Sequence, residues 1–394
     1  MAEPKLRFKG FEQSWKQDDF SEIGKYRKVS NNLVHHQNLL SLSYGKIIRK
    51  DIDSRKGLLP ASYDTYQIID KDTVVFRFTD LQNDKRSLRV GLSKEDGIIS
   101  PAYVCVDVQN MLPQFFYYQM YSLDLRKVFY RMGDGLRQTL SYNEVKGMPV
   151  YSTTEAEQKL IVSSIESIEQ RIAIVEKEIM HLKQVKTGAL LSMFPQKGES
   201  VPRVRFKGFD EPWKSIKADQ LFKTYNERNR PDLPVLSAFQ DNRGMAVREE
   251  NGYNIAHDCK NEVTYKHVLP GQFVMHLRSF QGGFAHSSVE GITSPAYTVF
   301  GFIEERANYD YFWKLIFMSR TFIKRLESIT YGIRDGRSIN FDEFLTLSFR
   351  VPSKAEQQKI AEFFQNLDRQ IEIQTKILDR LKQVKAACLD QMFV

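Results

Sequence analysis

Residues 4–15, PKLRFKGFEQSW, recur 198 positions later as residues 202–213, PRVRFKGFDEPW. Three further matches follow in the same order along the chain. GIISPAY at 97–103 returns as GITSPAY at 291–297, AEQ at 156–158 returns at 355–357, and LKQVK at 182–186 returns at 381–385. Four matches at nearly one offset indicate that the chain consists of two copies of a half of about 200 residues, a period too long for a solenoid.

Each half ends in a stretch that predicts a long helix with a heptad seam. The apolar spacing alternates between four and three residues, which is typical of a coiled coil. Only Gln374 interrupts the second copy, and one polar position in a seam can fix register and pairing. The predicted seam consists of Ile161, Ile165, Ile168, Ile172, Val175, Ile179 and Leu182, then Ile360, Phe364, Leu367, Ile371, Gln374, Leu378 and Leu381.

An alternative is that each long helix packs only against its own domain. A helix of ~38 residues is roughly 57 Å long, which is more than a domain of about 150 residues covers. The patterns Thr154-x-x-Glu157 and Ser353-x-x-Glu356 predict capping boxes where the two helices begin. We therefore favour pairing of the two helices with each other.

The segment before each long helix mixes short β-rich runs with helical stretches and turn residues, which predicts a mixed α/β domain. The first helix ends a few residues before the second domain begins, and the second helix leaves that same domain. The sequence thus predicts an α+β chain with two pseudo-symmetric mixed α/β globular domains at opposite ends of an antiparallel two-helix coiled coil. The expected bounds are 1–151 and 201–351 for the domains, and 152–195 and 352–394 for the helices.

Composition narrows the class of protein. The net charge of +8 is weak support for a nucleic-acid partner. No stretch approaches ~20 continuous apolar residues, and the first residues lack the apolar core of a secretory signal, so no membrane segment is expected. The three cysteines lie far apart, which favours a reducing, cytoplasmic setting and argues against a structural zinc site.

Catalytic motifs are not found in the sequence. It contains no G-x-x-x-x-G-K-[ST] loop, no H-E-x-x-H, and no Asp/Asn-Pro-Pro-aromatic tetrad of the kind that adenine methyltransferases use. His257, His267, His276 and His286 recur at intervals of nine or ten residues, but none lies at a helical i, i+4 spacing from another. We expect neither a metal site nor a catalytic residue in this chain.

This organisation resembles the specificity subunits of type I restriction–modification enzymes over essentially the whole chain. The doubled P-x-x-R-F-x-G-F-x-x-x-W segment, the doubled G-I-x-S-P-A-Y segment and the doubled A-E-Q helix start carry the resemblance. It implies that each globular part is a target recognition domain, and that the helices form a spacer whose length sets the gap between two DNA half-sites.

The resemblance also implies the partners. Two modification subunits would dock on the spacer, bind S-adenosylmethionine and methylate adenine. Restriction subunits that use ATP and Mg can join. The chain itself would hold no cofactor and catalyse nothing, and it would read an asymmetric two-part site in duplex DNA.

Two polar loops are candidates for DNA contact, because Arg and Lys suit guanine, and Asn and Gln suit adenine. Residues 77–89 and 276–288 occupy equivalent places in the two halves and diverge in sequence. We call them the recognition loops. The predicted DNA-binding residues are Arg77, Gln82, Asn83, Lys85, Arg86 and Arg89, then Arg278, Ser279, Gln281, His286 and Ser287.

Two other functions remain open from the residues alone. One is an enzyme, such as a single-chain nuclease or methyltransferase, although the motifs above are missing. The other is a coiled-coil scaffold that joins two protein-binding domains and has no DNA role.

For any single residue of the recognition loops, the alternative to a DNA contact is a solvated polar side chain. The target bases are not given by the sequence, and we expect half-sites centred about one DNA turn of ~34–36 Å apart.

Overall fold

The structure of the chain is a computed structural model that describes residues 3–32, 38–51, 62–79, 81, 88–132, 139–196, 198–239, 244–248, 259–276, 283–326 and 340–394. The described elements of the first half are β1 (Lys16–Asp19), α1 (Phe20–Ile23), β2 (Gly24–Arg27), β3 (Leu40–Ser43), β4 (Lys46–Arg49), β5 (Gln67–Ile69), β6 (Val74–Phe76), β7 (Val90–Leu92), β8 (Gly97–Ile99), β9 (Val104–Val108), α2 (Pro113–Leu125), α3 (Val128–Met132), α4 (Tyr142–Val145), β10 (Pro149–Ser152) and α5 (Glu155–Ser192).

The second half repeats the same order of elements. They are β11 (Lys214–Lys217), α6 (Ala218–Leu221), β12 (Phe222–Tyr225), β13 (Leu236–Phe239), β14 (Gly244–Val247), β15 (Lys266–Val268), β16 (Phe273–Met275), β17 (Phe284–His286), β18 (Gly291–Thr293), β19 (Thr298–Phe302), α7 (Asp310–Phe317), α8 (Arg320–Leu326), α9 (Phe341–Leu345), β20 (Ser348–Val351) and α10 (Lys354–Gln391). This half also contains two short 3₁₀ segments, Cys259–Thr264 and Glu305–Ala307.

Strand pairing is duplicated as well. A four-stranded antiparallel sheet has the order β2-β9-β6-β7 in the first half and β12-β19-β16-β17 in the second. The pairs β1-β10, β3-β4 and β5-β8 return as β11-β20, β13-β14 and β15-β18. The internal repeat read from a few motifs therefore extends through the described sheets of both halves. The predicted fold class, mixed α/β domains with two long helices that pack together, is confirmed.

The chain divides into two compact units. Unit 1 comprises Met1–Lys177 and Lys376–Val394, and unit 2 comprises Glu178–Thr375. The division passes through both long helices, so each unit holds one domain, the start of that domain's own long helix and the end of the other. In unit 1, Glu169 pairs with Lys385 and Glu176 pairs with Lys382. The residue number rises along α5 while that of the partner falls along α10, so the two helices are antiparallel there.

Every residue of the predicted heptad seam is buried or half-buried, while most of its helical neighbours are exposed. In unit 1, Ile161 and Ile165 pack with Leu389 near the end of α10. In unit 2, Ile360, Phe364 and Leu367 join a core to which Leu182 and Leu190 of α5 contribute. Since fully burying an aliphatic side chain stabilises by about 1.5–3 kcal/mol, these contacts account for much of the helix pairing.

The opening segments, residues 4–15 and 202–213, are fixed by a tryptophan. Trp15 and Trp213 are buried, and they contact Phe115 and Phe312 at ring-centroid distances of 5.5 and 5.9 Å. Each also contacts a phenylalanine just beyond the end of a long helix, namely Phe393 and Phe194. This doubled aromatic contact fastens the opening segment to its domain and to a helix end.

A buried ion pair fixes the start of each long helix. Arg7 donates to both carboxylate oxygens of Glu157 at 2.7 and 3.0 Å, and Arg205 does the same to Glu356 at 2.8 and 2.7 Å. Both glutamates are at most 2% exposed. Burial alone would raise the pKa of Glu157, but hydrogen bonds from Arg7 and Thr153 outweigh it and hold the pKa below its usual value. Glu157 is thus ionised and paired, and Glu356 makes the equivalent pair with Arg205.

The predicted capping boxes form only in part. Thr154 and Ser353 accept from the backbone N–H of Glu157 and Glu356, both at 3.4 Å. The two glutamate side chains accept from the arginines and not from the backbone N–H of their own N-cap residues. A charged guanidinium forms a stronger hydrogen bond with a buried carboxylate than a neutral backbone N–H does. The neighbouring Gln158 and Gln357 accept from Leu112 and Tyr309, at the start of α2 and α7, at 2.9 and 3.0 Å.

None of the helices in the described ranges is both long and apolar enough to cross a membrane.

We predict that Arg7→Met lowers the free energy of unfolding of unit 1 by about 2–3 kcal/mol, because it leaves the buried Glu157 carboxylate unpaired. Urea unfolding followed by tryptophan fluorescence measures the change, and Lys9→Met, at an exposed position of the same segment, is the matched control. Equal stabilities of the two variants would contradict the structural role of the pair.

Candidate nucleic-acid interface

A polar pocket of about 430 Å³ lies on the domain of unit 1. Three parts of the chain form it: the β3–β4 hairpin, the residues that follow β6, and the S-P-A-Y turn before β9. Its lining residues are Ser41, Leu42, Ser43, Ile48, Lys50, Arg77, Thr79, Ser100, Ala102 and Tyr103. Two cations, four hydroxyl-bearing side chains of Ser and Thr and one tyrosine suit phosphate oxygens and base edges.

The β3–β4 hairpin presents its serines through strand alternation. Leu40 and Leu42 are buried, and Ser41 and Ser43 are half-buried. Tyr44 and Gly45 make the two-residue turn with φ of 47° and 77°, as the tight hairpin turns that match strand twist require. The side chains that face the pocket are therefore set by the register of Leu40↔Arg49 and its neighbours.

The repeated S-P-A-Y segment forms the same turn in both halves. The backbone N–H of Tyr103 donates to the Ser100 carbonyl at 3.2 Å, and that of Tyr297 donates to the Ser294 carbonyl at 3.1 Å. Different side chains hold the two turns, since Gln67 donates to the Tyr103 carbonyl at 2.8 Å and Lys266 donates to the Tyr297 carbonyl at 2.6 Å. Each turn thus delivers a tyrosine to the same place in its domain.

A different side chain meets that tyrosine in each half. Arg77 follows β6 directly and lines the pocket with Tyr103. His276 follows β16 directly, and its ring centroid lies 6.0 Å from that of Tyr297. Arg77 and His276 are equivalent in the repeat, so one frame presents arginine in the first domain and histidine in the second.

Arg77 is the residue of the predicted DNA-binding set that the structure places at this surface. Gln82, Asn83, Lys85, Arg86, Arg278, Ser279 and Gln281 lie outside the described residues and stay predictions. Sequence reasoning did not select Ser41, Ser43, Lys50, Tyr103, His276 or Tyr297. The tyrosine that recurs in both S-P-A-Y segments is the one signal of this surface in the sequence, and a repeated residue alone does not distinguish a surface role from an architectural one.

Arg89 is a correction to the predicted set. Its side chain is fully buried, and it donates to the Tyr130 hydroxyl at 3.2 Å and to the Thr79 carbonyl at 3.0 Å. Its backbone N–H donates to Asp124, a buried carboxyl whose pKa burial raises to about 6. Since the Arg77 N–H donates to the Arg89 carbonyl at 2.8 Å, Arg89 continues the pairing of β6 with β7 by one residue, and its side chain holds Thr79 from inside the domain.

His286 and Ser287 are corrections for the same reason. His286 lies 2.7 Å from Asp310 through its Nε2 and is 8% exposed, and the Ser287 hydroxyl donates to the Val289 carbonyl at 2.7 Å. Burial would raise the pKa of Asp310, but the contact with His286 lowers it below its usual value. A side chain at Gly244 would lie 2.1 Å from the His286 carbonyl, so the β13–β14 hairpin closes over this end of β17.

Within the described ranges, no group of three or more His, Cys, Asp or Glu is placed to hold a metal ion.

A family model matches the second domain with most of its long helix, and solved structures match the fold of the whole chain. Residues 213–383 match the family described as type I restriction modification DNA specificity domain. Among solved structures, the chain is similar to the type I restriction–modification system S subunit from M. genitalium, with a TM-score of 0.60 and 13% identity, over 100% of this chain and 99% of that chain. No curated protein sequence matches significantly.

A second solved structure, one that describes complex assembly and conformational transition of the type I R-M system, aligns with a TM-score of 0.52 and 14% identity over 97% of this chain and 98% of that chain. The arrangement of two similar domains and two long helices is the fold that the chain shares with these two solved structures. The match of residues 213–383 to the type I restriction modification DNA specificity domain and the shared fold confirm the predicted resemblance of the chain to type I specificity subunits.

We predict that substitution of Arg77 weakens DNA binding, whereas substitution of Arg89 lowers stability. Arg77→Ala should leave the melting temperature nearly unchanged and weaken duplex DNA binding by about 1–3 kcal/mol, the range for loss of a base-contacting arginine. Arg89→Met should destabilise unit 1 by about 1–3 kcal/mol, because buried acceptors lose their donor. Fluorescence anisotropy on DNA and urea unfolding distinguish the two, and a folded Arg77→Ala protein with unchanged affinity would remove Arg77 from the interface.

Proposed function

We propose that this chain is the non-catalytic DNA-recognition subunit of a type I restriction–modification complex. It reads a bipartite, asymmetric site in duplex DNA and docks two adenine-N6 methyltransferase subunits, and restriction subunits can join. In this proposal S-adenosylmethionine belongs to the modification subunits, and ATP and Mg belong to the restriction subunits.

The observation that carries the proposal is a duplicated frame with different side chains at one equivalent surface. The same hairpin, the same S-P-A-Y turn and the same sheet order recur in both halves. At the surface that they form, Arg77 stands in one domain and His276 in the other. Arginine suits guanine, and histidine offers a shorter and differently placed donor, so the two domains are suited to two different half-sites.

Contacts to the DNA backbone would supply most of the affinity. Lys50 and Arg77 are cations of the pocket in unit 1, and the chain carries a net charge of +8. Neutralising phosphates releases counterions, so binding should weaken steeply with salt, whichever sequence is bound. Sequence preference would then come from the pocket and from the recognition loops.

The long helices offer a surface for the modification subunits. Ion pairs occupy one side of the helix pair, where Glu176 meets Lys382 at 3.1 Å. Exposed apolar residues lie on the other side, at heptad positions c and g. Ile174 and Ile373 are 46% and 50% exposed, and Val185 and Val384 are each 37% exposed. The same two residue types recur at equivalent places in both copies, which favours two copies of one apolar partner surface.

We predict that co-expression with its modification subunit, in a host that lacks adenine methylation, produces N6-methyladenine in one two-part motif. The motif should have two different half-sites, a constant unspecified gap and a modified adenine on each strand. Long-read sequencing of the host DNA measures it, and the modification subunit alone is the control. Soluble, co-purifying subunits that leave the DNA unmethylated and bind no duplex at low salt would contradict the DNA role and favour a scaffold.

We predict that Val185→Asp combined with Ile373→Asp lowers the co-purifying modification subunit from two copies to one. Both residues lie in unit 2, so a charge is buried in one apolar interface, which is strongly unfavourable, while Ile174 and Val384 of unit 1 are unchanged. Met180→Asp is the matched control, since Met180 is 55% exposed but lies on a different face of α5. Equal yields of complex from both proteins would show that this face is free in the complex.

A further inference from the structure

Two lysines continue the heptad spacing of the long helices just beyond the predicted end of the apolar seam. Lys186 and Lys385 are the last residues of the two LKQVK segments, and each lies seven residues after a seam residue, Ile179 or Leu378. Both therefore occupy heptad position a, and their side chains are only 20% and 19% exposed. A lysine at one a position of a coiled coil costs stability but specifies register.

In unit 1, Lys385 takes part in a contact among three helices. Its Nζ lies 2.7 Å from Glu169 of α5, and the Tyr118 hydroxyl of α2 donates to the other oxygen of Glu169 at 3.1 Å. The Lys385 ammonium also lies 4.9 Å from the ring centroid of Tyr121, again from α2. One carboxylate thus joins the domain to both long helices.

Unit 2 contains the same contact with the helices exchanged. Lys186 of α5 pairs with Asp368 of α10, and the Tyr311 hydroxyl of α7 donates to Asp368. The Lys314 ammonium lies 5.0 Å from the Tyr311 ring centroid. Burial raises the pKa of Tyr311 and of Tyr118, and the neighbouring carboxylates raise it further, so both phenols stay protonated and donate.

The two tyrosines do not occupy equivalent positions. Gln158 binds the N–H of Leu112 and Gln357 that of Tyr309, which aligns the two domain helices. By that alignment Gln114, and not Tyr118, corresponds to Tyr311. The tyrosine hydroxyl reaches the equivalent carboxylate, Glu169 or Asp368, from a different turn of the domain helix in each unit. What the two units share is therefore the contact among three helices.

We infer that the two triads, Lys385–Glu169–Tyr118 and Lys186–Asp368–Tyr311, are positioning devices that hold each recognition domain in one orientation on its helix pair and thereby set the tolerance for gap length in the DNA site. The inference rests on the proposed function. The triad residues act through the orientation of the domain and touch no DNA.

The ion pair and the hydrogen bond of each triad restrict rotation of the domain more than apolar packing does. Apolar contacts are non-directional and tolerate small rotations, whereas an ion pair with a hydrogen bond does not. A slip of one residue moves a helix by ~1.5 Å and turns it by ~100°, which would separate each lysine from its carboxylate. Adjacent base pairs of DNA are ~3.4 Å apart along the helix axis. A domain whose rotation can displace its DNA-binding surface by a few ångströms should therefore accept a gap one base pair longer or shorter.

The test uses the complex of the full chain with its modification subunit and the target found by methylation mapping. Duplexes carry the two half-sites at the native gap and at one base pair more and less, and initial methylation rates are measured on each. The wild-type complex should strongly prefer the native gap. In Lys186→Met that preference should fall by about tenfold, within the range of measured pair couplings, while the half-site sequences stay the same.

Charge exchange separates positioning from simple stability. The double variant Lys186→Asp with Asp368→Lys should restore most of the gap preference, and Tyr311→Phe, which removes only a hydroxyl, should lose part of it. Lys183→Met, at an exposed position of the same helix, is the control and should behave as wild type. If Lys186→Met does not fold, Tyr311→Phe carries the test alone.

Folded Lys186→Met and Tyr311→Phe complexes that keep the wild-type gap preference would overturn the inference. Failure of the proposed function is a separate result, because a wild-type complex that recognises no two-part site shows it before any variant is made.

Discussion

The buried pair between an arginine of the opening segment and the glutamate of the A-E-Q motif is the contact on which each half depends. Arg7–Glu157 and Arg205–Glu356 join the opening segment to the first turn of a long helix. The next residue, a glutamine, binds the first turn of the domain helix α2 or α7. Two adjacent side chains therefore fix where the helix begins and how the domain sits on it, before any apolar contact along the seam contributes.

A frame held this firmly leaves the surface residues free to differ. Gly97 and Gly291 show how tight it is, because a side chain at either position would lie 2.6 Å from a backbone carbonyl of the facing segment. Those glycines let the strand before each S-P-A-Y turn pass close beneath the neighbouring hairpin. The turn and its tyrosine are thereby held in place, so an exchange such as Arg77 for His276 alters the chemistry presented without altering the scaffold.

The repeat and the heptad spacing are local patterns, so the sequence predicts the duplicated architecture and the pairing of the long helices. It does not predict the side-chain set of the interface. Arg89 is one of four cations in a polar stretch, yet Tyr130 of α3 and Asp124 of α2, 41 and 35 residues away, draw it into the interior. Ser41 and Ser43 reach the pocket because a hairpin register turns them there. Both outcomes depend on tertiary pairing, which composition alone does not encode.

The long helices combine two requirements that conflict in an isolated coiled coil. An all-apolar seam would pair most tightly, but it would also allow neighbouring registers of similar energy. Gln374 lies in that seam, and Lys186 and Lys385 lie where the same heptad spacing continues beyond it. The two lysines pair with carboxylates on the facing helix. Stability lost at these positions is offset by the cores at Ile161 and Ile360. A spacer that must hold two surfaces at a constant separation needs a single register more than it needs maximal affinity between its helices.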